Sequence, residues 1–339
     1  MARESKSTKW PYNLMRLLLL ITSILLLLAT SAFAEPTMIK LSQLATPGST
    51  KVLAIGYFKK LLEERSHGRL LVEIIDSKQS DTPDSLEQLE RHKIQLAVPD
   101  LTNLSFRFQD LQLLELPFLF RNLQQLQSFI ESSSGKQLFS SLEQQNYKAL
   151  AFWDSSFRHL IASCPLPTAT DARGLNFIGA ENRLASVLFK KINAGQPPIT
   201  NHTGYNCRTL DEVQITDLDK NTVQYGMPPQ IVTLSNHSVT GHLILAHREF
   251  WEGLPEDLKV ITQNAMKDAG DYARELAEQA DQLAVQQIEK GGTLGIYRLS
   301  PAQREQWRKT LLSDCPLVMN DRLKQWFEML TATKTEQAD

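Results

Sequence analysis

The residues with the most chemical capacity lie mid-chain, in the run Phe152-Trp153-Asp154-Ser155-Ser156-Phe157-Arg158. The apolar stretch Ala149–Trp153 reads as a buried strand, and Asp154-Ser155-Ser156 reads as its break. In parallel α/β sheets, ligands sit beyond the carboxyl ends of the strands. A guanidinium there presents a planar fork of donors that matches a carboxylate in two parallel bonds. Arg158 is therefore the candidate anion anchor, with Trp153 and Phe157 as aromatic walls. The competing reading gives Arg158 a surface ion pair and puts both aromatics in the core.

Other chemistry is hard to find. No GxSxG, HExxH, glycine-rich phosphate loop or CxxC pair occurs, so no nucleophile, metalloprotease, nucleotide or thiol-redox motif is present. His237, His242 and His247 recur every five residues. That spacing alternates faces on a strand and diverges on a helix, so the three do not converge on a metal. Cys164, Cys207 and Cys315 allow at most one internal disulfide. The formal charge of −2 argues against a nucleic-acid partner, which needs a basic footprint. A non-enzymatic protein without cofactor or metal is expected.

The chain opens with basic Arg3, Lys6, Lys9 and Arg16, an apolar run Leu17–Leu28, and small residues ending Ala32-Phe33-Ala34. That order is a secretory signal with cleavage after Ala34, and the run is interrupted too often for a spanning helix. Export to the periplasm as a protein of about 305 residues follows. Beyond it, strand, helix, strand, helix and strand succeed one another over Met38–Val98, the pattern of a mainly parallel sheet covered by helices. Helices are predicted at 123–131, 135–145 and 181–192, and strands at 175–178 and 239–246. Residues 193–234, with Pro197-Pro198 and Pro228-Pro229, show the least regular pattern. After Pro255, apolar residues from Leu258 to Ile288 recur three or four apart until Gly291-Gly292. About 35 helical residues span over 50 Å, enough to brace two lobes. A coiled coil is the competing reading, but the alanines and Gly270 suit close packing on a neighbour. Residues 300–330 supply closing helices.

The ordered set Glu63–Leu70, Leu96-Ala97-Val98-Pro99, Leu116-Pro117-Phe118-Leu119-Phe120, Ala151-Phe152-Trp153-Asp154 with Phe157-Arg158, Asp171-Ala172-Arg173-Gly174-Leu175, Ser235-Asn236-His237, and Phe250-Trp251 with Leu254-Pro255 resembles the solute-binding subunits of tripartite ATP-independent (TRAP) transporters, the dicarboxylate-binding family. The resemblance runs from about Met38 to Leu311. It implies an α/β, two-lobed periplasmic binding protein fold (type II-like) with hinge-crossing strands and a long helix spanning both lobes. The expected organisation is a signal peptide at 1–34, lobe I at 35–157 and 242–285, lobe II at 158–241 and 286–331, and a disordered tail at 332–339. The implied ligand is a small organic acid, and the implied partners are TRAP membrane permease subunits. A monomer is expected.

The resemblance carries over unevenly. Arg158 matches one of the family's carboxylate-contacting arginines. The family's main arginine falls at Ile178, and its ligand-facing asparagine falls at Ile215. A charge-assisted bond is worth roughly 1.5–3 kcal/mol, and a carboxylate facing isoleucine meets an added desolvation cost. A typical dicarboxylate should therefore bind poorly, and a more apolar or aromatic acid is expected. The other function weighed is a degenerate binding module used in signalling or assembly rather than transport.

Overall fold

The computed structural model describes residues 35–43, 48–76, 84–177, 183–193, 209–218, 231–291, 294–317 and 319–332. The expected signal peptide at 1–34, Ile178, Cys207 and residues 333–339 of the expected tail lie outside the described residues.

The first half alternates as expected: β1 (Thr37–Gln43), α1 (Thr50–Arg65), β2 (Leu70–Asp76), α2 (Ser85–Glu90), β3 (Leu96–Ala97) and α3 (Leu101–Arg107). Ser49 caps α1, its side chain accepting from Val52 N. Beyond α1 the chain turns through left-handed His67 (φ 53°) and Gly68 (φ 74°), and Gly68 N donates to Glu63 O at 2.9 Å. β1 pairs in parallel with both β2 and β3. Helices α4 (Leu123–Glu131) and α5 (Ser133–Ser140) lead into β4 (Tyr147–Ala162). Then come β5 (Asn176–Phe177), α6 (Arg183–Asn193), β6 (Thr209–Gln214) and β7 (Ile231–His247). After the short α7 (Arg248–Gly253) comes α8 (Glu256–Gly291), followed by β8 (Gly295–Arg298), α9 (Pro301–Asp314) and α10 (Asp321–Ala332). A capping box between Ser300 and Gln303, with Pro301 in the first turn, starts α9.

One eight-stranded sheet runs in the order β2-β1-β3-β7-β4-β6-β5, with β8 also paired to β7. The 16 residues of β4 and 17 of β7 run antiparallel and belong to both ends of this sheet. Near His247, β7 pairs with β3, whereas near Ile231 it pairs with β8. Near Ala162, β4 pairs with β6. These are the hinge-crossing strands of a two-lobed fold.

Asp154-Ser155-Ser156 does not end β4. The strand passes through with a register shift between Asp154 and Ser156, because an extra residue is absorbed as a bulge. Each buried polar side chain finds a partner. Arg274 of α8 grips Asp154 with two bonds of 2.9 Å, and Gln127 donates to the same carboxylate. Ser156 donates to Asp281. β7 likewise starts earlier than expected, because Ser235, His237 and Ser238 are buried and bonded.

The long helix braces both ends of the sheet. Leu258, Ala265, Met266, Ala269 and Ala273 pack into the cluster built by α1, β1 and β3. Ala284, Val285 and Ile288 pack against Ile161, Ile215, Leu218 and Val232. The third cluster is the largest, running from Leu86 to Leu330, and contains the stacked Phe118–Trp307 pair. Within it α10 lies against the first half of the chain, and Arg322 pairs with Asp110 at 2.7 Å. Cys164 is disulfide-bonded, whereas Cys315 is free and buried.

Gly270 is where α8 comes closest to β4. A Cβ there would sit 2.7 Å from Trp153 Cδ1, and Trp153 is fixed by its bond to Met266 O. Gly270→Val is expected to destabilise the protein by roughly 1–3 kcal/mol through overpacking, read as a lower urea midpoint at unchanged m-value.

Candidate binding cleft

The five residues singled out from the sequence do not form one cluster. Trp153 is buried in the core, its Nε1 donating to Met266 O at 2.9 Å, with Phe58 against its edge. Ile215 is buried among Ile161, Leu218 and Val232. Phe157 belongs to the large cluster, with the Arg304 guanidinium 5.9 Å from its ring centroid. Ile178 is not among the described residues. Arg158 is half-buried on β4, opposite Ser238 of β7 and Gln214 of β6.

A second charged group stands on the Arg158 face of the sheet. Residues directly opposite in an antiparallel pair share a face, as do residues four apart on one strand. Arg158 faces Ser238, and His242 lies four residues further along β7, about 13 Å away. His242 Nδ1 is 2.6 Å from Asp100 Oδ1, and Lys51 Nζ is 3.2 Å from the same oxygen. Lys51 and Asp100 line a cavity of about 290 Å³ whose other walls include Ser85, Asn103, Phe106 and Arg107. Its lining comes from the segments that follow β1, β2 and β3, so it opens at the carboxyl ends of parallel strands, where ligands sit in such sheets. Phe106 is 58 % exposed and adds an apolar surface to this mouth.

The electrostatics are set by burial. Burial pulls the Lys51 ammonium below its ordinary pKa, and the charge and hydrogen bond of Asp100 only partly offset this. Burial lowers His242 as well, against its bond to Asp100. For Asp100 burial alone would raise the value, but His242 and Lys51 together outweigh it and hold the carboxyl at about 2. Lys51 is thus a desolvated cation whose carboxylate partner is still partly open to water.

The hinge holds another buried cation. Arg304 donates to Ser235 O at 2.6 Å, Asn236 O at 2.7 Å and Phe120 O at 3.2 Å. It also covers Phe118 and Phe157. Burial lowers its pKa to about 10. His159, whose Nδ1 accepts from Asn236 N, is pushed down to about 3 by burial and by neighbouring His237 and Arg304, and stays neutral. These groups tie the Phe120 turn to β7 and to α9. A larger cavity of about 450 Å³ lies between α4, α5, β4 and α8 with Trp153 in its wall. Its Arg274, Lys148 and Lys267 are already paired with Asp154, Glu143 and Asp271, and Lys136 is a further cation in its lining.

Lys51, Asp100 and His242 carry no motif, and their partnership spans most of the chain. The only trace in the sequence is a lysine in the first turn of an amphipathic helix.

Comparison with known proteins gives a consistent result. The model for "bacterial extracellular solute-binding protein, family 7" matches residues 41–205 and 229–316. The C4-dicarboxylate-binding periplasmic protein DctP of Rhodobacter capsulatus is 28 % identical over 300 residues, covering 86 % of this chain and 89 % of that protein. A TRAP periplasmic solute-binding protein from Ochrobactrum anthropi, with its C-terminus in the ligand pocket, superposes with a TM-score of 0.74 at 20 % identity, over 89 % of this chain and 97 % of that one. Another, from Sulfurospirillum deleyianum with bound succinate, gives a TM-score of 0.67 at 23 % identity, over 87 % and 98 % of the two chains.

Asp100→Asn would remove the carboxylate charge that pairs with buried Lys51. The expected loss at pH 7 is on the order of 1–2 kcal/mol, less than for a fully buried pair because Asp100 meets water. The folded carboxyl titrates below its unfolded value of about 3.9, so its contribution is present above that value. It fades as pH falls through about 4 towards about 2. Denaturant melts of both proteins at pH 7 and pH 3 should therefore differ more at pH 7.

Proposed function

This chain belongs to bacterial extracellular solute-binding protein family 7, and from that premise we propose that it is the periplasmic receptor of a TRAP-type transport system. It captures a small organic acid between its lobes and delivers it to membrane permease subunits. It acts without chemistry, as a monomer exported through the N-terminal signal at residues 1–34. No helix among the described residues is long and apolar enough to cross a membrane. The alternative of a signalling or assembly module draws no support from the relatives reported above.

The observation that carries this reading is the placement of two groups on one face of the shared β4–β7 pair. Arg158 stands towards the second lobe and the Lys51–Asp100 cavity, with His242 held against Asp100, stands in the first, with about 13 Å of strand between the registers of Arg158 and His242. An acid held by both favours the closed arrangement by its differential affinity for that state. Arg158 takes the carboxylate, and the first-lobe cavity selects the remainder of the ligand.

Two of the relatives reported, from Rhodobacter capsulatus and Sulfurospirillum deleyianum, bind C4-dicarboxylates or succinate by their names. This chain has isoleucine at 178, where the family resemblance expects a second arginine. Exposed Phe106 supports the same direction. A monocarboxylate with an apolar or aromatic body fits better than a four-carbon diacid.

A thermal-shift screen of organic acids at millimolar concentration, followed by calorimetric titration of the best ligand, tests this. Arg158→Ala should weaken that ligand by roughly tenfold to a hundredfold or more, the loss of one or two charge-assisted bonds. Unchanged affinity in a folded variant would move the anion site elsewhere.

A further inference from the structure

At the end of β3 remote from Asp100, the chain brings two histidines together that are far apart in sequence. His92 sits in the turn after α2 with left-handed φ of 54°. His92 N donates to Leu89 O at 3.1 Å and Lys93 N to Gln88 O at 2.9 Å, which fixes that turn. Four residues later β3 pairs antiparallel with the end of β7, Leu96 facing Ala246. His247 N donates to Gln95 O at 3.2 Å. This pairing sets the His247 ring against that of His92, with centroids 3.9 Å apart and planes at 46°. Glu249 follows in the first turn of α7.

The potential ligating atoms of His92, His247 and Glu249 all lie within 4.8 Å of one another. His92 and His247 line a cavity of about 330 Å³ that also touches Glu90, Asn146 and Tyr147. His247 is 6 % exposed, and its Nδ1 is buried with no hydrogen-bond partner. A buried ring nitrogen left unpaired is costly, and an ion bound there would recover that cost. His92 and Glu249 are exposed. Their atoms need to approach to about 3.3 Å, the edge of a tetrahedron with ligand bonds near 2.0–2.1 Å.

We propose that His92, His247 and Glu249 form a binding site for a divalent transition ion of the zinc class, separate from the organic-acid cleft. Two imidazoles and one carboxylate suit zinc and its neighbours, whereas calcium and magnesium take oxygen ligands. Water completes the fourth position. The bound ion cross-links the α2–β3 turn to the β7–α7 junction, so it stabilises the first lobe without touching Arg158 or Lys51. The histidines at 237 and 242 take no part: they point into the hinge and towards Asp100.

The test uses the purified protein without a polyhistidine tag and zinc chloride as the probe. Metal content after equilibrium dialysis and calorimetric titration are measured for the wild type, His92→Ala and Glu249→Gln. The expected result is one zinc per chain, with a higher melting temperature when zinc is present. Each variant should lose at least tenfold in zinc affinity, since outer-shell changes alone cost about that much. Both substitutions are at exposed positions, and circular dichroism without metal checks the fold. No stoichiometric zinc in the wild type, or either variant binding zinc as the wild type does, overturns the assignment.

Discussion

The antiparallel pairing of β4 with β7 is the constraint on which the rest of the molecule depends. Both strands are shared by the two ends of one sheet, so neither lobe can be built without them. Their pairing has three register shifts, at Ala149/Ala151, Asp154/Ser156 and Arg158/Leu160. Each shift adds local twist and re-aims side chains. The second shift allows Asp154 and Ser156 to meet α8, and the third surrounds Asn236, whose φ of 46° is left-handed. Any rotation of one lobe against the other must be carried by these two strands, with α8 packed along them.

Polar groups inside such a hinge are costly unless paired. This protein answers the cost in three ways. Asp154 is fully buried and receives two parallel bonds from Arg274, the geometry in which a desolvated pair recovers most of its hydration loss. Arg304 gives its protons to three backbone carbonyls and lies over two aromatic rings. Lys51 is the least settled of the three, since its one carboxylate is shared with His242 and partly hydrated. The first two groups hold the hinge, whereas Lys51 lies beside a cavity at the strand ends.

Within its family the chain keeps the scaffold and alters the charge pattern of the cleft. By the resemblance, one family arginine position falls at Arg158 and another at Ile178. On the proposed function, a cleft with fewer fixed cations and an exposed Phe106 would select against a small doubly charged ligand. Desolvation of a second carboxylate there has no compensating bond. Specificity then follows from what the cleft lacks as much as from what it offers.

The sequence by itself determined the alternation of strands and helices, the long bracing helix and the family. These depend on hydrophobic period, caps and glycines, all local in the chain. It also pointed to Arg158. It misread Asp154-Ser155-Ser156 as a break, because local polarity cannot report that Arg274 and Asp281 wait on a distant helix. It placed Trp153 and Ile215 in the cleft, whereas packing against α8 buries both in the core. The partners of Lys51, and the meeting of His92 with His247, were decided only by tertiary structure. Each joins side chains through sheet register, and register is set by the whole pattern of pairing rather than by any local run of residues.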